Sequence, residues 1–67
     1  MASRSTRNKV RHQAVSALND LLKAQEHLVN LYAIADGRSP DIEKYAPTIT
    51  TTLELVIKAT ERFIEVL

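Results

Sequence analysis

Hydrophobic residues recur every three to four positions along the first half of the chain. Over residues 6–36, one heptad phase has an apolar residue at each a and d position from Val10 onwards. This spacing is typical of an amphipathic helix, because residues three and four apart lie on one face. The pattern therefore predicts a first helix over residues 6–36. Its a and d residues are Val10, Ala14, Ala17, Leu21, Ala24, Leu28, Leu31 and Ala35.

One cluster of helix-breaking residues, from Asp36 to Pro40, interrupts this pattern. Gly37 suits the left-handed position that often follows the end of a helix. Ser39 is expected to be the N-cap of a second helix, with Pro40 as its first residue. A helix end followed at once by a helix start predicts an antiparallel αα-hairpin with its turn at residues 37–39.

The heptad pattern resumes over residues 40–67 and predicts a second helix. Pro47 lies inside it, where proline removes a backbone hydrogen bond. The favoured interpretation is a continuous helix that is kinked near Pro47. The alternative is a break there and a new start near Thr48 to Thr51, since Thr51-x-x-Glu54 resembles a capping box. The a and d residues, expected to face the first helix, are Ile42, Tyr45, Ile49, Thr52, Val56, Ala59, Phe63 and Val66.

A second, largely apolar stripe lies beside the first on each predicted helix. Together the stripes cover about 160° of the helix surface, more than one neighbouring helix covers. Because monomers rarely expose so large an apolar patch, we expect an interface with another chain, and hence a self-associating four-helix bundle. Gln25 either fixes the register of that interface or reaches water at its edge. The predicted interface residues are Val15, Leu18, Leu22, Gln25, Val29, Tyr32, Leu53, Ile57, Ile64 and Leu67.

The length and composition favour association as well. A chain of 67 residues forms one small domain and is too short for a Rossmann unit, a barrel or a two-domain enzyme. It has no cysteine, so neither disulfides nor cysteine-bound zinc can stabilise it. A domain of this size is marginally stable as a monomer, which strengthens the case for a partner chain.

The net charge of +1 is unevenly distributed. Arg4, Arg7, Lys9 and Arg11 lie in the first twelve residues without any acidic residue, whereas residues 13–67 have five bases and eight acids. In the predicted hairpin Leu67 lies opposite Val10, so residues 1–9 form a basic arm or frayed helix start beside a domain at 10–67. Bases in a first helical turn oppose the helix dipole. The arm is expected either to contact phosphates or an acidic partner, or to be a solvated terminus.

The chain has no motif that predicts catalysis. His12 and His27 are fifteen residues apart on the polar face and lack the spacing of metal ligands. The glutamates map to outward positions, and there is neither a glycine-rich phosphate loop nor a cofactor motif. We therefore expect no enzyme activity, no cofactor and no metal.

No targeting or membrane-spanning segment is expected either. The N-terminus is polar and basic, with no apolar stretch of signal-peptide length behind it. The densest apolar segment, residues 28–35, is far shorter than a transmembrane span. The expectation is an intracellular protein, cytoplasmic or nuclear, that is neither secreted nor bound to a membrane.

These features predict a non-enzymatic helical protein–protein interaction module: a small adaptor, assembly factor or regulatory subunit. Its partner is expected to be a second copy, giving a homodimer, or another helical protein. The alternative is a small dimeric nucleic-acid-binding regulator whose basic arms contact phosphates.

Overall fold

The computed structural model describes residues 4–67, which form two long α-helices joined by a tight turn. Helix α1 comprises Arg4–Ala35 and helix α2 comprises Pro40–Val66, with no strand among the described residues. The helices pack against each other in a hairpin whose Cα atoms extend over 52 × 16 × 14 Å. The predicted all-α hairpin is confirmed. Helix α2 runs through Pro47 without a break, so the alternative of two separate helices is wrong.

The turn uses two residues with positive φ, Asp36 at 45° and Gly37 at 70°. The Asp36 N–H donates to the Tyr32 carbonyl at 3.0 Å, and the Arg38 N–H donates to the Ala35 carbonyl at 2.9 Å. Ser39 precedes α2 with an extended backbone, and its carbonyl accepts from the Glu43 N–H at 3.1 Å. Ser39 thus occupies the predicted N-cap position, but its side chain makes no capping hydrogen bond.

The helix ends differ slightly from the predicted bounds. Helix α1 begins two residues before the predicted start, so the basic segment is helical from Arg4 onwards. Helix α2 ends at Val66, and the Leu67 N–H donates to the Ile64 carbonyl at 3.2 Å. Residues 1–3 of the predicted basic arm lie outside the described residues.

One row of residues from each helix forms the contact between α1 and α2. We call these the inner rows, and every member is buried or half-buried. Their spacing alternates between three and four residues, as in a coiled-coil seam. Ala14 and Ile57 are the most enclosed members, at 8% and 6% exposure. The inner rows are Ala14, Leu18, Leu21, Gln25, Leu28, Tyr32 and Ala35 in α1, and Ala46, Thr50, Leu53, Ile57, Thr60, Ile64 and Leu67 in α2.

The side chain of Tyr32 links the two helices through hydrogen bonds. Its hydroxyl donates to the Ala46 carbonyl at 3.0 Å and lies 2.6 Å from Thr50 Oγ1. Because the Tyr32 proton goes to the carbonyl, the threonine hydroxyl is the donor in the second bond. The predicted register places Tyr45 opposite Tyr32, and the observed partner is the next residue along the chain.

The prediction of which face of α2 packs on α1 is wrong. Of its eight residues only Ile42 is half-buried, and the others are exposed. In their place α2 turns Leu53, Ile57, Ile64 and Leu67 towards α1, although the sequence predicts contacts with another chain for them. The observed row contains alanine and threonine, whose small side chains let the helices approach closely. It also brings partners to the Tyr32 hydroxyl, which a half-buried tyrosine needs.

Candidate functional site

Two apolar rows lie beside the inner rows and are not covered by the hairpin itself. Within each row the residues are seven positions apart, so they line up along the helix. We call the two rows together the open face. They comprise Val10, Ala17, Ala24 and Leu31 of α1, and Ile42, Ile49, Val56 and Phe63 of α2.

The two rows of the open face lie on the same side of the hairpin. Leu31 of α1 and both Ile42 and Ile49 of α2 line one shared groove, together with Tyr45. Five of the large members are exposed, from 40% at Val10 to 49% at Phe63, and the sixth, Ile42, is half-buried. The structure therefore leaves a continuous strip of apolar side chains along the hairpin.

The opposite side of the hairpin has a different composition. There Val15, Leu22 and Val29 of α1 are exposed. The groove beside them contains Glu54 of α2, and it also contains Lys23 and Glu26. We call this side the mixed face. Its α2 row, again at seven-residue spacing, is Pro47, Glu54 and Glu61.

The ten predicted interface residues do not form one exposed surface. Only Val15, Leu22 and Val29 are exposed, all on the mixed face. The other seven belong to the inner rows, where Ile57 is buried and six are half-buried. In the single hairpin these seven lie between its two helices, and their contact with a second chain stays a prediction. The six half-buried residues are Leu18, Gln25, Tyr32, Leu53, Ile64 and Leu67.

The open face can be recognised in the sequence by its seven-residue repeat. Both rows have an apolar residue at every seventh position, and together they account for eight residues without a polar member. In each helix the open-face row repeats every seven residues, whereas the inner row beside it alternates between spacings of three and four. This arrangement is typical of a helix that packs against two different neighbours. The a and d residues of each helix do not form one surface, because only some of them face the other helix.

The hairpin has more surface than a compact protein of its mass. Its accessible area is 5544 Å². A compact monomer of 7.5 kDa would expose about 4,200 Å². The radius of gyration is 15.9 Å, whereas about 11 Å is expected for a globular chain of this length. The apolar strip of the open face is part of this excess surface.

Three of the four predicted basic contacts share one side of α1. Arg4, Arg7 and Arg11 continue the three-and-four spacing of the inner row towards the start of the helix, and all three are exposed. We call them the arginine row. Lys9 lies about 160° around the helix from Arg7 at 3.6 residues per turn. The four predicted cations therefore do not form a single patch.

The remaining polar groups are dispersed. His12 and His27 are exposed, as the sequence predicts for surface histidines. Within residues 4–67 no three potential ligand side chains come together in a group that could hold a metal ion. Neither α1 nor α2, over the part of the chain that the structure describes, is long and apolar enough to cross a membrane.

Comparison of the chain with protein-family models, with curated proteins and with solved structures finds no match.

Proposed function

We propose that the protein is a non-enzymatic helical interaction module that pairs with a second copy through the open face. The observation that carries the proposal is the run of apolar side chains, eight residues in two aligned rows, on one side of the hairpin. Large contiguous apolar patches on small proteins mark interaction surfaces.

The dimensions of the hairpin suit a stable dimer. A face with the full length and width of the hairpin, 52 by 16 Å, sets an upper limit of about 800 Å² per partner, which reaches the area of a standard protein–protein interface. Each large apolar side chain of the open face is roughly half-exposed in the single chain. Covering that half contributes about 1 kcal/mol per residue, since full burial contributes about 1.5–3 kcal/mol.

Two hairpins paired in this way form a four-helix bundle. Each helix would use its inner row against its neighbour in the same chain and its open-face row against the partner chain. Helices in such bundles pack with both kinds of neighbour around a shared core. The two small residues in the middle of the α1 row, Ala17 and Ala24, leave space for larger side chains of the facing chain.

Self-association at this surface fits a small adaptor, assembly factor or regulatory subunit. Such proteins act by presenting helix faces rather than by chemistry. The mixed face would remain accessible on both sides of the bundle and is available for a further helical protein.

The test is a measurement of molar mass by light scattering after size exclusion, over a range of micromolar concentrations. The proposal predicts a dimer of about 15 kDa, twice the mass of the 7.5 kDa chain. A monodisperse, cooperatively folded species with the mass of one chain would contradict it. A mass that reaches the dimer value only with an added helical partner would replace the second copy by a heteromeric partner.

A further inference from the structure

We infer that the two hairpins of the proposed dimer run antiparallel, with the arginine row of each chain against the acidic turn of the other. This inference rests on the proposed function, since it specifies how the second copy is oriented. The acidic turn comprises Asp36, Asp41 and Glu43, which are exposed at the other end of the hairpin.

The first observation is that the arginine row faces inwards beyond the end of α2. Arg4 and Arg7 occupy inner-row positions of α1, but the described chain of α2 ends at Leu67, opposite Val10 in the predicted register. The bond between Tyr32 and Ala46 supports that register to within one residue. Within residues 4–67, Arg4 and Arg7 therefore lie on the inner-row side of α1 with no turn of α2 opposite them.

The second observation is the charge at the two ends of the hairpin. Four cations precede Asp20, the first acid of the sequence, whereas residues 36–44 around the turn contain three acids and two bases, Arg38 and Lys44. Parallel hairpins would place two basic arms side by side, with eight cations at one end of the dimer. Antiparallel hairpins would place each arm beside a turn of opposite charge. Such complementarity selects one orientation of an interface over another.

The third observation concerns the dipole of α1. Its first turn has no acidic residue and its last turn has no basic residue, so neither helix end is compensated by its own side chains. Asp36 directly after the last turn adds a further unfavourable charge. An antiparallel pair of α1 helices brings the arginines of one chain near the C-terminal carbonyls of the other. In this arrangement positive charges lie beside the negative ends of both helix dipoles.

The open face has the symmetry that this arrangement needs. It extends from Val10 near the arm to Ile42 near the turn, so a two-fold axis through its middle brings each arm to the partner's turn. Ala17 and Ala24 flank that axis on α1. Their small side chains allow two α1 helices to approach closely there.

Spin labels test the orientation directly. The chain has no cysteine, so Arg38→Cys introduces a single labelling position in the turn. Antiparallel hairpins separate the two labels by roughly the length of the molecule, 52 Å. Parallel hairpins bring them within about 20 Å, given interhelical spacings of about 10 Å. A dimer with the short distance overturns the inference but leaves the proposed function standing, whereas a monomer overturns both.

Charge reversal tests the contact between arm and turn. Arg4→Glu/Arg7→Glu and Asp41→Lys/Glu43→Lys are each expected to weaken self-association about tenfold at low salt. An equimolar mixture of the two variants should recover wild-type affinity, because the reversed arm then meets a reversed turn. Acidic residues in the first turn stabilise an isolated helix. A more stable Arg4→Glu/Arg7→Glu variant with unchanged dimerisation would therefore show a merely solvated arm and overturn the inference.

The neutral variant Arg4→Ala/Arg7→Ala distinguishes a nucleic-acid partner from a second copy of the chain. Our inference predicts that this variant dimerises more weakly than the wild type. It is compared with the wild type in dimerisation and in titrations with a duplex DNA and a single-stranded RNA of twenty nucleotides at two salt concentrations. Loss of salt-sensitive binding to either probe, with dimerisation unchanged, would assign the arginine row to phosphates and overturn the inference.

Discussion

The open face and the mixed face have similar side chains in α1 but opposite ones in α2. In α1 both faces expose valines and leucines, and the individual exposures are close, 45% for Leu22 on the mixed face and 43% for Leu31 on the open face. In α2 the open face continues with Ile49 and Val56, whereas the mixed face continues with Glu54 and Glu61. The exposure of a single apolar residue therefore reveals little. The α2 residues on the other side of each groove decide whether an apolar partner can cover that face.

The difference has a simple energetic basis. An apolar partner on the mixed face would remove water from two glutamates, and burying unpaired carboxylates is strongly unfavourable. The groove of the open face is lined by apolar side chains and by Asp41 at its end near the turn. Covering its apolar groups is favourable in proportion to the area covered. The two faces thus make different predictions for matched substitutions.

The largest effect is expected inside the hairpin, at Ile57→Asp. Ile57 is 6% exposed between the helices, and truncation of such a residue to alanine already lowers stability by about 2–5 kcal/mol. A buried carboxylate adds a further penalty, enough to exceed the stability of a small domain. We expect no cooperative thermal transition in circular dichroism at any protein concentration. A cooperative transition near that of the wild type would contradict the inner-row assignment.

The next largest effect is expected from replacing a valine on the open face, and the same replacement on the mixed face serves as its control. Val56 on the open face and Val15 on the mixed face are 44% and 39% exposed. Val56→Asp places two carboxylates in the proposed dimer interface and is expected to weaken dimerisation by at least about 100-fold, or about 2.7 kcal/mol. Val15→Asp should change it less than threefold. Sedimentation equilibrium measures both, and a stronger effect of Val15→Asp would transfer the interface to the mixed face.

Local signals were sufficient to predict the elements of the fold. Gly37 and Pro40 have conformational preferences that act over a few residues, so the turn and the start of α2 could be placed from the sequence. The heptad pattern likewise extends through Pro47, as the continuous helix does. These predictions depend on neighbours along the chain, which the sequence displays directly.

The pairing of faces could not be predicted in the same way. Helix α2 has two adjacent stripes that both repeat every seven residues, and periodicity alone does not distinguish them. The predicted stripe contains Phe63, whereas the observed contact uses the stripe with Thr50 and Thr60. The deciding factors are a close helix approach and partners for the Tyr32 hydroxyl. Both depend on residues far apart in sequence.

A smaller effect is expected for Tyr32→Phe, which removes the hydroxyl that joins the helices. Tyr32 lines the grooves of both faces, so its loss should affect the hairpin rather than one face. Two hydrogen bonds contribute about 1 kcal/mol each, and we expect a loss of about 1–2 kcal/mol in urea unfolding. Tyr45→Phe is the matched control, because Tyr45 is 57% exposed, and it should lose less than about 0.5 kcal/mol. Equal losses would mean that the bonds to Ala46 and Thr50 contribute no stability.

The smallest effect is expected in the turn, which belongs to neither face. Gly37 has a φ of 70°, a conformation that is unfavourable by about 1 kcal/mol for a residue with a Cβ atom. A Cβ atom there would also lie 3.2 Å from Glu43 Oε1, although that flexible carboxylate can move away. Gly37→Ala should therefore lower the free energy of unfolding by about 1 kcal/mol. Gly37→Asn should lose less, because asparagine tolerates the left-handed region better. Both variants should dimerise with nearly wild-type affinity, since neither substitution changes an acidic side chain of the turn. A Gly37→Ala variant that dimerised as weakly as Val56→Asp would show that the turn contributes as much to the interface as the open face does, and the separation of the two faces would fail.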